Sequence, residues 1–268
     1  MRLASLCIFA LLLLTLLVGC RVNQRHAAPA LDRPHVVVMT YNVNYGLAGD
    51  PSTLDAIRNS LSDIVLLQET NAAWEEVLRA ALATQYPHMV FHHHDPAGGL
   101  AVLSRYPLLE QELLEPVSWF PAWRGVTETA LGPLQLLNVH LRPPFSDRGS
   151  VIGGYFMTPA VRQREIEHFS GSLDPDLPTL VVGDFNESER GKAATHLHRL
   201  GLRSALREFD RYGHTWRWDS SVIPLRGRYD HLMHDPRLEP LFVEVLRAGR
   251  SDHLPVRGAF ALARRETE

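Results

Sequence analysis

The chain has 268 residues, of which 45% are hydrophobic and 21% are charged, as in an ordinary folded protein. This balance excludes collagen-like and intrinsically disordered classes. The formal net charge of −3 gives no strongly basic surface of the kind that drives non-specific binding to nucleic acids. A bound metal ion would bring its own positive charge, so the acidity is only a weak argument against a DNA substrate.

The first segment of the chain has the features of an export signal. Arg2 precedes an apolar run at 6–18, which is too short to span a bilayer as a helix but fits a signal-peptide core. Small residues then precede Cys20 and polar residues follow it at once, which resembles a bacterial lipobox. We predict a signal peptide at 1–19 and a lipid on Cys20. A plain secretory signal or an N-terminal anchor remains the alternative.

The lipid anchor predicts a location and a domain layout. Position 21 is Arg rather than Asp, so the inner-membrane retention signal is missing and we expect the outer membrane, facing the periplasm or the cell surface. Cys7 would leave with the signal and Cys20 would carry lipid, which excludes cysteine catalysis. Residues 20–34 are predicted to be a lipidated tether. Residues 35–268 are predicted to be one folded domain, which we expect to be a monomer.

The rest of the chain alternates between short apolar runs and segments with helical spacing. The predicted helices are 51–61, 71–84, 159–173 and 190–200. The predicted strands are 35–42, 63–68, 100–104, 126–131, 134–141, 179–183, 229–233, 240–245 and 255–262. Gly132-Pro133 predicts a hairpin turn. Helices interrupt the strands too rarely for a doubly wound parallel sheet, which favours an α/β (α+β) architecture of mixed sheets packed on each other.

Polar side chains collect where these strands end, and loops at strand ends are where sites form. They are Asn42, Asn44, Glu69, His140, Asp184, Asn186, Asp230, Asp252 and His253. Taken singly, such an Asp or Asn is more often a turn or cap, and a lone His is more often a surface or hydrogen-bonded core residue. Taken together, oxygen ligands with little sulfur suit Mg²⁺ or Mn²⁺. A carboxylate next to a histidine can also build a base that activates water.

Six short motifs occur in the order and rough spacing of a known superfamily. They are Thr40-Tyr41-Asn42-Val43-Asn44, Gln68-Glu69-Thr70, Asn138-Val139-His140-Leu141, Gly183-Asp184-Phe185-Asn186, Tyr229-Asp230-His231 and Ser251-Asp252-His253-Leu254-Pro255-Val256. Through them the chain resembles the endonuclease/exonuclease/phosphatase superfamily, which includes deoxyribonuclease I, exonuclease III, sphingomyelinases and inositol polyphosphate 5-phosphatases. The resemblance covers about residues 36–260. It implies a deoxyribonuclease I-like four-layer sandwich, in which two mixed β-sheets are flanked by helices.

The resemblance also implies a set of metal ligands. Glu69 corresponds to the principal Mg²⁺ (or Mn²⁺) ligand, and Asn42 lies beside it. Asp252 could complete a second or shared metal site. Asn44 stands where some members of the superfamily have an acid, so any second metal ion is expected to bind weakly.

A second group of residues is implied to handle the water, the protons and the phosphate. Asp184 would orient the attacking water, and Asn186 would hold the phosphate and a metal-linked water. His253 would be the general acid/base or the positive partner of the phosphate, and Asp230 would buttress it. His140 would contact the phosphate from the other side. The abasic-site endonuclease branch has a tyrosine motif at that position, which lowers the expectation of a DNA-repair role.

Several further residues could contact a substrate. Arg105 and Arg142 could add positive charge near the phosphate. Trp216 could stack on the substrate or be a core aromatic. The aromatic segment 119–123 could dock on a lipid or an aglycone, or simply pack. The histidines at 92–94 fit a solvated strand end better than a metal site.

Together these observations predict an exported, membrane-tethered, metal-dependent hydrolase of phosphoester bonds. The resemblance implies that it forms no covalent intermediate. The substrate stays open between a nucleic acid and a lipid or small-molecule phosphoester. The alternatives are a phospholipase C/sphingomyelinase-like enzyme, a phosphomonoesterase, and a catalytically silent binding lipoprotein. A silent member would be expected to have lost Glu69, Asp184 or His253, and all three are present.

Overall fold

The computed structural model describes residues 31–145, 149, 151–210, 213–219 and 224–264. The predicted signal peptide, the lipid site at Cys20 and most of the tether lie outside the described residues. Within the described ranges, no helix combines the length and the apolarity needed to cross a membrane.

Two six-stranded sheets form the centre of the described part of the chain. The first contains, in spatial order, β13 (Leu238–Val245), β14 (Val256–Leu262), β1 (Val36–Asn42), β2 (Ile64–Gln68), β4 (Leu100–Ser104) and β3 (His88–His92). The second contains β5 (Leu108–Leu114), β6 (Ala122–Thr129), β7 (Gly132–His140), β8 (Thr179–Asp184), β12 (Asp230–His234) and β9 (Arg203–Ser204). A short ribbon pairs β10 (Trp216–Trp218) with β11 (Leu225–Gly227).

Both sheets are mixed, because each contains one parallel pair among antiparallel neighbours. The pair β1 and β2 is parallel, and so is the pair β7 and β8. Antiparallel partners flank them, such as β14 beside β1 and β12 beside β8.

Four helices of the described ranges cover the outer faces of the sheets, namely α1 (Pro51–Asn59), α2 (Ala72–Leu82), α3 (Val151–Ser170) and α4 (Lys192–Arg199). The short α5 (Ala205–Phe209) instead contributes Ala205 and Leu206 to the apolar cluster between the sheets. The side chains of Asp50 and Asn71 accept hydrogen bonds from the backbone N–H groups of Thr53 and Trp74. These caps satisfy donors that have no partner inside the helix, which explains where α1 and α2 begin.

Three apolar clusters separate four layers. Between the sheets lie side chains from both, including Val38, Leu66, Leu136 and Val182. Outside the first sheet lie Tyr41, Leu67, Trp74, Leu78 and their neighbours, which belong to β1, β2 and α2. Outside the second sheet lie Val139, Val181, Phe169, Leu197 and their neighbours, which belong to β7, β8, α3 and α4. Successive side chains of a strand point to opposite faces, so strands buried on both faces are continuous apolar runs. The predicted four-layer α/β sandwich is confirmed.

Three of the four predicted helices begin and end within two residues of those observed, but the third does not. The helix expected at 159–173 begins at Val151, and Pro159 lies in its interior. Pro159 was expected at a helix start, where its missing N–H costs nothing. Here the helix continues through Pro159. The proline costs the helix one backbone hydrogen bond. The burial of Thr158 and Arg162 on either side holds the segment in place despite this cost.

The strands at the edges of the sheets were harder to predict. β3 and β5 lie at the edges of their sheets and are only partly buried, so they carry no continuous apolar run. The hairpin between β6 and β7 also turns earlier than expected. Thr129 pairs with Gly132, so the turn is at 130–131 rather than at Gly132-Pro133.

The parallel pairs decide where polar residues meet. The ends of β1 and β2 coincide, since Asn42 pairs with Gln68 immediately before Glu69. The ends of β7 and β8 coincide in the same way, since His140 pairs with Asp184. The Asn42 Nδ2 donates to Asp184 Oδ2 at 3.1 Å, which joins the two pairs across the sandwich at one rim.

Candidate active site

Asp184 lies at the centre of this rim. Its Oδ2 is 3.5 Å from His253 Nε2 and 3.6 Å from His140 Nε2, and its Oδ1 accepts the backbone N–H of Asn186 at 2.8 Å. The close approach of β7 and β8 requires the preceding residue to be glycine. Gly183 has a φ of 138°, and a Cβ there would overlap the Val139 carbonyl. Burial raises the pKa of Asp184, although the neighbouring imidazole of His253 opposes this.

His253 is held between two carboxylates. Its Nδ1 is 2.9 Å from Asp230 Oδ2 and 3.1 Å from Oδ1, and its Nε2 faces Asp184. Burial alone would lower the pKa of His253, but Asp230, Asp184 and Asp252 outweigh burial and raise this pKa to about 10. His253 is therefore an imidazolium at neutral pH. Because β12 pairs with β8 and places Asp230 opposite Asp184, the sheet itself aligns the three groups.

His140, in contrast to His253, is a neutral imidazole. Its Nδ1 is 3.1 Å from the carbonyl oxygen of Ala97, so Nδ1 carries the proton and donates it. Burial lowers the pKa of His140, which keeps the ring neutral and leaves an Nε2 lone pair facing Asp184. The ring also stacks on Phe120, with 4.5 Å between the centroids.

Glu69 occupies the turn after β2. Its Oε1 accepts the Asn42 amide at 2.9 Å, and its Oε2 accepts the backbone N–H of Tyr45 at 3.4 Å. Burial raises the pKa of Glu69, and the hydrogen bond from Asn42 only partly offsets this effect. The backbone of Glu69 has a φ of 59°, in the left-handed region that a glutamate rarely adopts. The turn thus aims this carboxylate at the rim.

Asp252 supplies the fourth carboxylate at the rim. Its Oδ2 accepts from Trp216 Nε1 at 3.0 Å, and its Oδ1 accepts from the Asn44 amide at 3.3 Å. The adjacent Ser251 hydroxyl donates to the Asn42 carbonyl at 2.8 Å, which ties this loop to β1. Asn44, expected only to weaken a second metal site, therefore orients Asp252.

The donor set fits a divalent cation. The carboxylates of Glu69, Asp184, Asp230 and Asp252 face a single imidazolium, His253. Within the part of the chain that the structure describes, no Lys or Arg forms an ion pair with any of these four acids. Such an excess of negative charge on buried (Asp184, Asp230) and half-buried (Glu69, Asp252) acids is expected to attract a metal ion with oxygen ligands.

Two groups of residues could hold that ion, and the charge states favour one of them. Asp184, Asp230 and His253 bring one donor atom each within 4.8 Å of one another. Both nitrogens of His253 already face carboxylates, and an imidazolium has no lone pair to offer. Glu69 accepts hydrogen bonds only from neutral donors, the Asn42 amide and a backbone N–H, and its assignment as the metal ligand stays a prediction.

Asn186 is positioned by the loop after β7. Its amide nitrogen donates to the Leu141 carbonyl at 2.9 Å. The next residue in that loop, Arg142, is held through its own carbonyl, which accepts from Arg162 Nη1 at 3.0 Å. Arg162 also forms a buried ion pair with Glu187 at 3.0 Å. Arg162 is thus part of the support under Asn186.

These groups open into a pocket of about 670 Å³. Glu69, His140, Asp184, Asn186, Asp252 and His253 form its polar part. Its apolar part contains Tyr45, Pro96, Trp119, Phe120, Pro143, Pro144, Phe145, Trp216, Trp218 and Tyr229. We call these ten residues the apolar wall. A pocket of this size suits a small ligand.

The two arginines expected near the phosphate lie elsewhere. Arg105 follows β4, which is antiparallel to β2. It therefore lies beside the start of β2, at the opposite end of the strand from Glu69, and it pairs with Asp63 at 3.2 Å. The expectation for Arg105 was wrong, because consecutive antiparallel strands present their ends at opposite edges. Arg142 is buried, with its guanidinium 3.3 Å from the centroid of the Trp119 ring. Its charge is behind the apolar wall and does not line the pocket.

The aromatic segment at 119–123 divides between two environments. Trp119 and Phe120 line the pocket, whereas Trp123 lies in β6 and is fully buried between the sheets. Trp216 also lines the pocket and its ring is 5.4 Å from that of Tyr229. Packing therefore accounts for Trp123, while substrate contact by Trp119, Phe120 and Trp216 stays a prediction.

Other parts of the site could not be anticipated. Pro143-Pro144-Phe145 and Trp218 line the pocket, although only their closeness in sequence to His140 and Trp216 pointed to them. Beneath the rim, Gln68 Nε2 donates to Asn138 Oδ1 at 2.7 Å across the two sheets. Both residues lie in the quoted motifs, but no local pattern says that they meet.

Comparisons with known proteins agree with this fold. The structure is similar to an endonuclease/exonuclease/phosphatase from Beutenbergia cavernae DSM 12333, with a TM-score of 0.68 and 19% identity over 86% of this chain and 72% of that one. It is also similar to D. rerio TDP2 complexed with single strand DNA product, with a TM-score of 0.65 and 18% identity over 84% and 98%. A conserved protein from Enterococcus faecalis V583 is similar as well, with a TM-score of 0.65 and 17% identity over 85% of this chain and 100% of that one.

At these identities the similarity shows the fold alone. A search of curated protein sequences finds no match. The sequence model of the Endonuclease/Exonuclease/phosphatase family, however, matches residues 39–253, which include every motif residue brought to the rim. Because this match spans most of the chain, the protein belongs to the endonuclease/exonuclease/phosphatase family.

Proposed function

We propose that this protein is a Mg²⁺- or Mn²⁺-dependent hydrolase of phosphoester bonds, of the phosphodiesterase or nuclease type. The observation that carries the proposal is the excess of acidic groups at one rim, where four carboxylates face one imidazolium beside a pocket. Glu69 and Asn42 would hold the ion, and Asp252 would contribute to a second or shared site. The bound ion would neutralise phosphate charge and stabilise the leaving oxygen.

The chain's own groups would handle the water and the protons. The Asp184 carboxylate is placed to orient an attacking water, because it lies between the two histidine Nε2 atoms at 3.5 and 3.6 Å. His253 carries a proton at neutral pH and can give it to a departing alkoxide or pair with the phosphate. Asp230 fixes its orientation. Asn186 would hold the phosphate through the part of its amide that faces the pocket.

His140 would act from the opposite side of the phosphate. In the free protein its Nε2 is a hydrogen-bond acceptor, because Nδ1 donates to the Ala97 carbonyl. An approaching phosphate anion would raise the pKa of His140 and favour an Nε2–H that donates to it. The Phe120 ring stacked on His140 keeps the imidazole in this orientation.

The experiment is hydrolysis by the purified full-length protein in detergent. Bis-p-nitrophenyl phosphate, p-nitrophenyl phosphate, plasmid DNA and sphingomyelin are compared with Mg²⁺, with Mn²⁺ and with a chelator. Glu69→Ala and His253→Ala are expected to abolish turnover, and Arg105→Ala serves as the control because it lies at the other sheet edge. Turnover that survives the chelator or both site variants would contradict the proposal.

The same assay separates the alternatives. Preference for sphingomyelin would favour a phospholipase C/sphingomyelinase-like enzyme, and preference for p-nitrophenyl phosphate would favour a phosphomonoesterase. A folded protein that neither binds metal nor turns over any substrate would favour a silent binding lipoprotein, whereas metal binding without turnover would point to a narrower substrate.

We also propose that the protein is exported and held at the outer membrane by a lipid on Cys20. The apolar run that stops at this cysteine supports the proposal. Metabolic labelling with palmitate is expected to mark the wild-type protein and not Cys20→Ser. Equal labelling of both, or wild-type protein in the soluble fraction, would contradict the anchor.

A further inference from the structure

The apolar wall gives the pocket a second chemistry beside its acidic part. Among the described residues that line it, seven are aromatic side chains outside the histidines and three are prolines. Phe145 and Trp218 are exposed at 37% and 48%, so a ligand could reach both. Apolar surface that remains open beside a polar reaction centre is a place where part of a substrate can be buried.

The same pocket lacks basic side chains. No Lys or Arg is found among its described lining residues, while Asp95 adds a further acid to those of the rim. The nearest buried guanidinium, Arg142, is engaged with Ser118 and the Phe145 carbonyl behind the wall. Sites for single-stranded nucleic acids combine aromatic platforms with a positively charged groove that follows the backbone. The described lining of this pocket has the aromatic platforms and no Lys or Arg beside them.

The charge balance also bears on the phosphoryl group. A phosphate in the pocket would lie beside several carboxylates, with no Lys or Arg among the described lining residues. A phosphodiester carries one negative charge and a phosphomonoester carries close to two at neutral pH. The diester is therefore less strongly repelled by the unneutralised acids.

We infer that the substrate is a phosphodiester carrying at least one large apolar or aromatic ester group, which lies against the apolar wall. This inference rests on the proposed function and names its substrate class. The two sources of such chemistry are a phospholipid and a smaller aryl or alkyl phosphodiester. A nucleic-acid polymer is the competing substrate, which the described lining without Lys or Arg disfavours.

The test measures binding, so that it does not depend on turnover. Diphenyl phosphate and dimethyl phosphate have the same charge and the same phosphoryl centre, and differ only in the groups that the wall would contact. Calorimetric titrations of the full-length protein in detergent with Mn²⁺ would give both dissociation constants. Burial of the aromatic rings is expected to make diphenyl phosphate bind about 30-fold more tightly.

Variants locate the source of that preference. Phe145→Ala and Trp218→Ala should each reduce the ratio of the two constants about 5-fold, because each removes an aromatic ring from the wall. Leu109→Ala is the matched control, since Leu109 is 57% exposed on β5 and does not line the pocket. It should leave the ratio unchanged. Thermal melts would check that each variant is folded, and the wild-type ratio is informative without any variant.

Competition experiments distinguish the two sources of the ligand. Displacement of diphenyl phosphate by a monomeric short-chain phosphatidylcholine would assign a lipid, and its failure would assign the smaller diester. Equal constants for the two phosphates, or a ratio unchanged in both wall variants, would overturn the inference. Tighter binding of a single-stranded oligonucleotide at physiological salt would also overturn it.

The outcomes keep the two proposals apart. Selective binding of diphenyl phosphate without hydrolysis of any phosphoester would remove the hydrolase and keep the ligand class. Hydrolysis of phosphodiesters with equal binding of the two phosphates would keep the hydrolase and remove the ligand class.

Discussion

Asp230 begins β12 and Glu69 follows β2, so both acids lie at the same rim. They contact different partners in the folded chain. Asp230 is fully buried against the imidazole of His253, which carries the compensating charge. Glu69 accepts hydrogen bonds from the Asn42 amide and a backbone N–H, which are neutral donors. The protein thus supplies a counter-charge for one acid and leaves the other to a ligand.

This difference separates two functions within one rim. The Asp230–His253 half is electrostatically paired without any added ion, so its task is to hold a proton in place. The Glu69 half has no charged partner of its own, so under the proposed function it would bind the cation. The predictions that follow would each break or sharpen this contrast.

The largest effect is expected when the paired half is broken. Asp230→Asn removes the charge that keeps His253 protonated and oriented, so kcat should fall on the order of 10³-fold. Steady-state kinetics would measure the loss, and added metal should not restore activity. The control is Asp55→Asn, because Asp55 forms an exposed ion pair on α1. Recovery with excess Mn²⁺ would contradict the assignment of Asp230 to the proton-holding half.

The second effect concerns the half that needs a cation. Glu69→Gln should weaken Mn²⁺ binding by at least about 100-fold, since even residues that only support a metal ligand are worth about 10–100-fold. Calorimetry of metal binding would measure this loss. Millimolar Mn²⁺ should partly restore turnover, in contrast to Asp230→Asn. An unchanged metal affinity would place the ion elsewhere.

The paired half should also stabilise the metal-free protein. Folding raises the pKa of His253 from 6.5 to about 10, so its stabilisation is complete below pH 6.5 and is lost as the pH rises through 10. His253→Gln should therefore lower Tm by about 4 °C at pH 6. The difference from wild type should shrink toward pH 10. A difference independent of pH would indicate lost packing alone.

Glu69, the unpaired half, should have the opposite effect on stability and destabilise the metal-free protein. Burial raises the pKa of Glu69 in the folded state, so the ionised carboxylate costs stability once the pH exceeds the unfolded pKa of about 4.3. Glu69→Gln should raise the Tm of the metal-free protein by about 2–4 °C at pH 7. The gain should vanish near pH 4, and Mn²⁺ should reverse it by stabilising the wild type more than the variant, which binds the ion more weakly. A lower Tm in chelator would contradict the contrast.

The smallest effect is expected away from both halves. Arg105→Ala should change kcat/KM by less than about 2-fold, because Arg105 pairs with Asp63 at the opposite sheet edge, and an exposed ion pair contributes about 0–1 kcal/mol. A large rise in KM would mean that the substrate reaches around the sandwich.

Much of this site could be predicted because its residues follow strands. The sequence alone indicated that Glu69, Asp184 and Asp230 lie at the ends or starts of buried apolar runs, and the runs themselves indicated strands covered on both faces. The edge strands and the start of α3 could not be predicted as well. Partly solvated strands have no continuous apolar pattern, and Pro159 does not end its helix.

The sequence by itself determined which residue types are available at each strand end, because period-two burial and turn chemistry are local properties. Only the tertiary structure decided which of them meet. Asn42 and Asp184 are 142 residues apart, and the packing of one sheet on the other brings them together. The same packing places Arg105 at the far edge and turns Phe145 into the pocket. Contacts between distant segments depend on sheet order and strand direction, which no local spacing encodes.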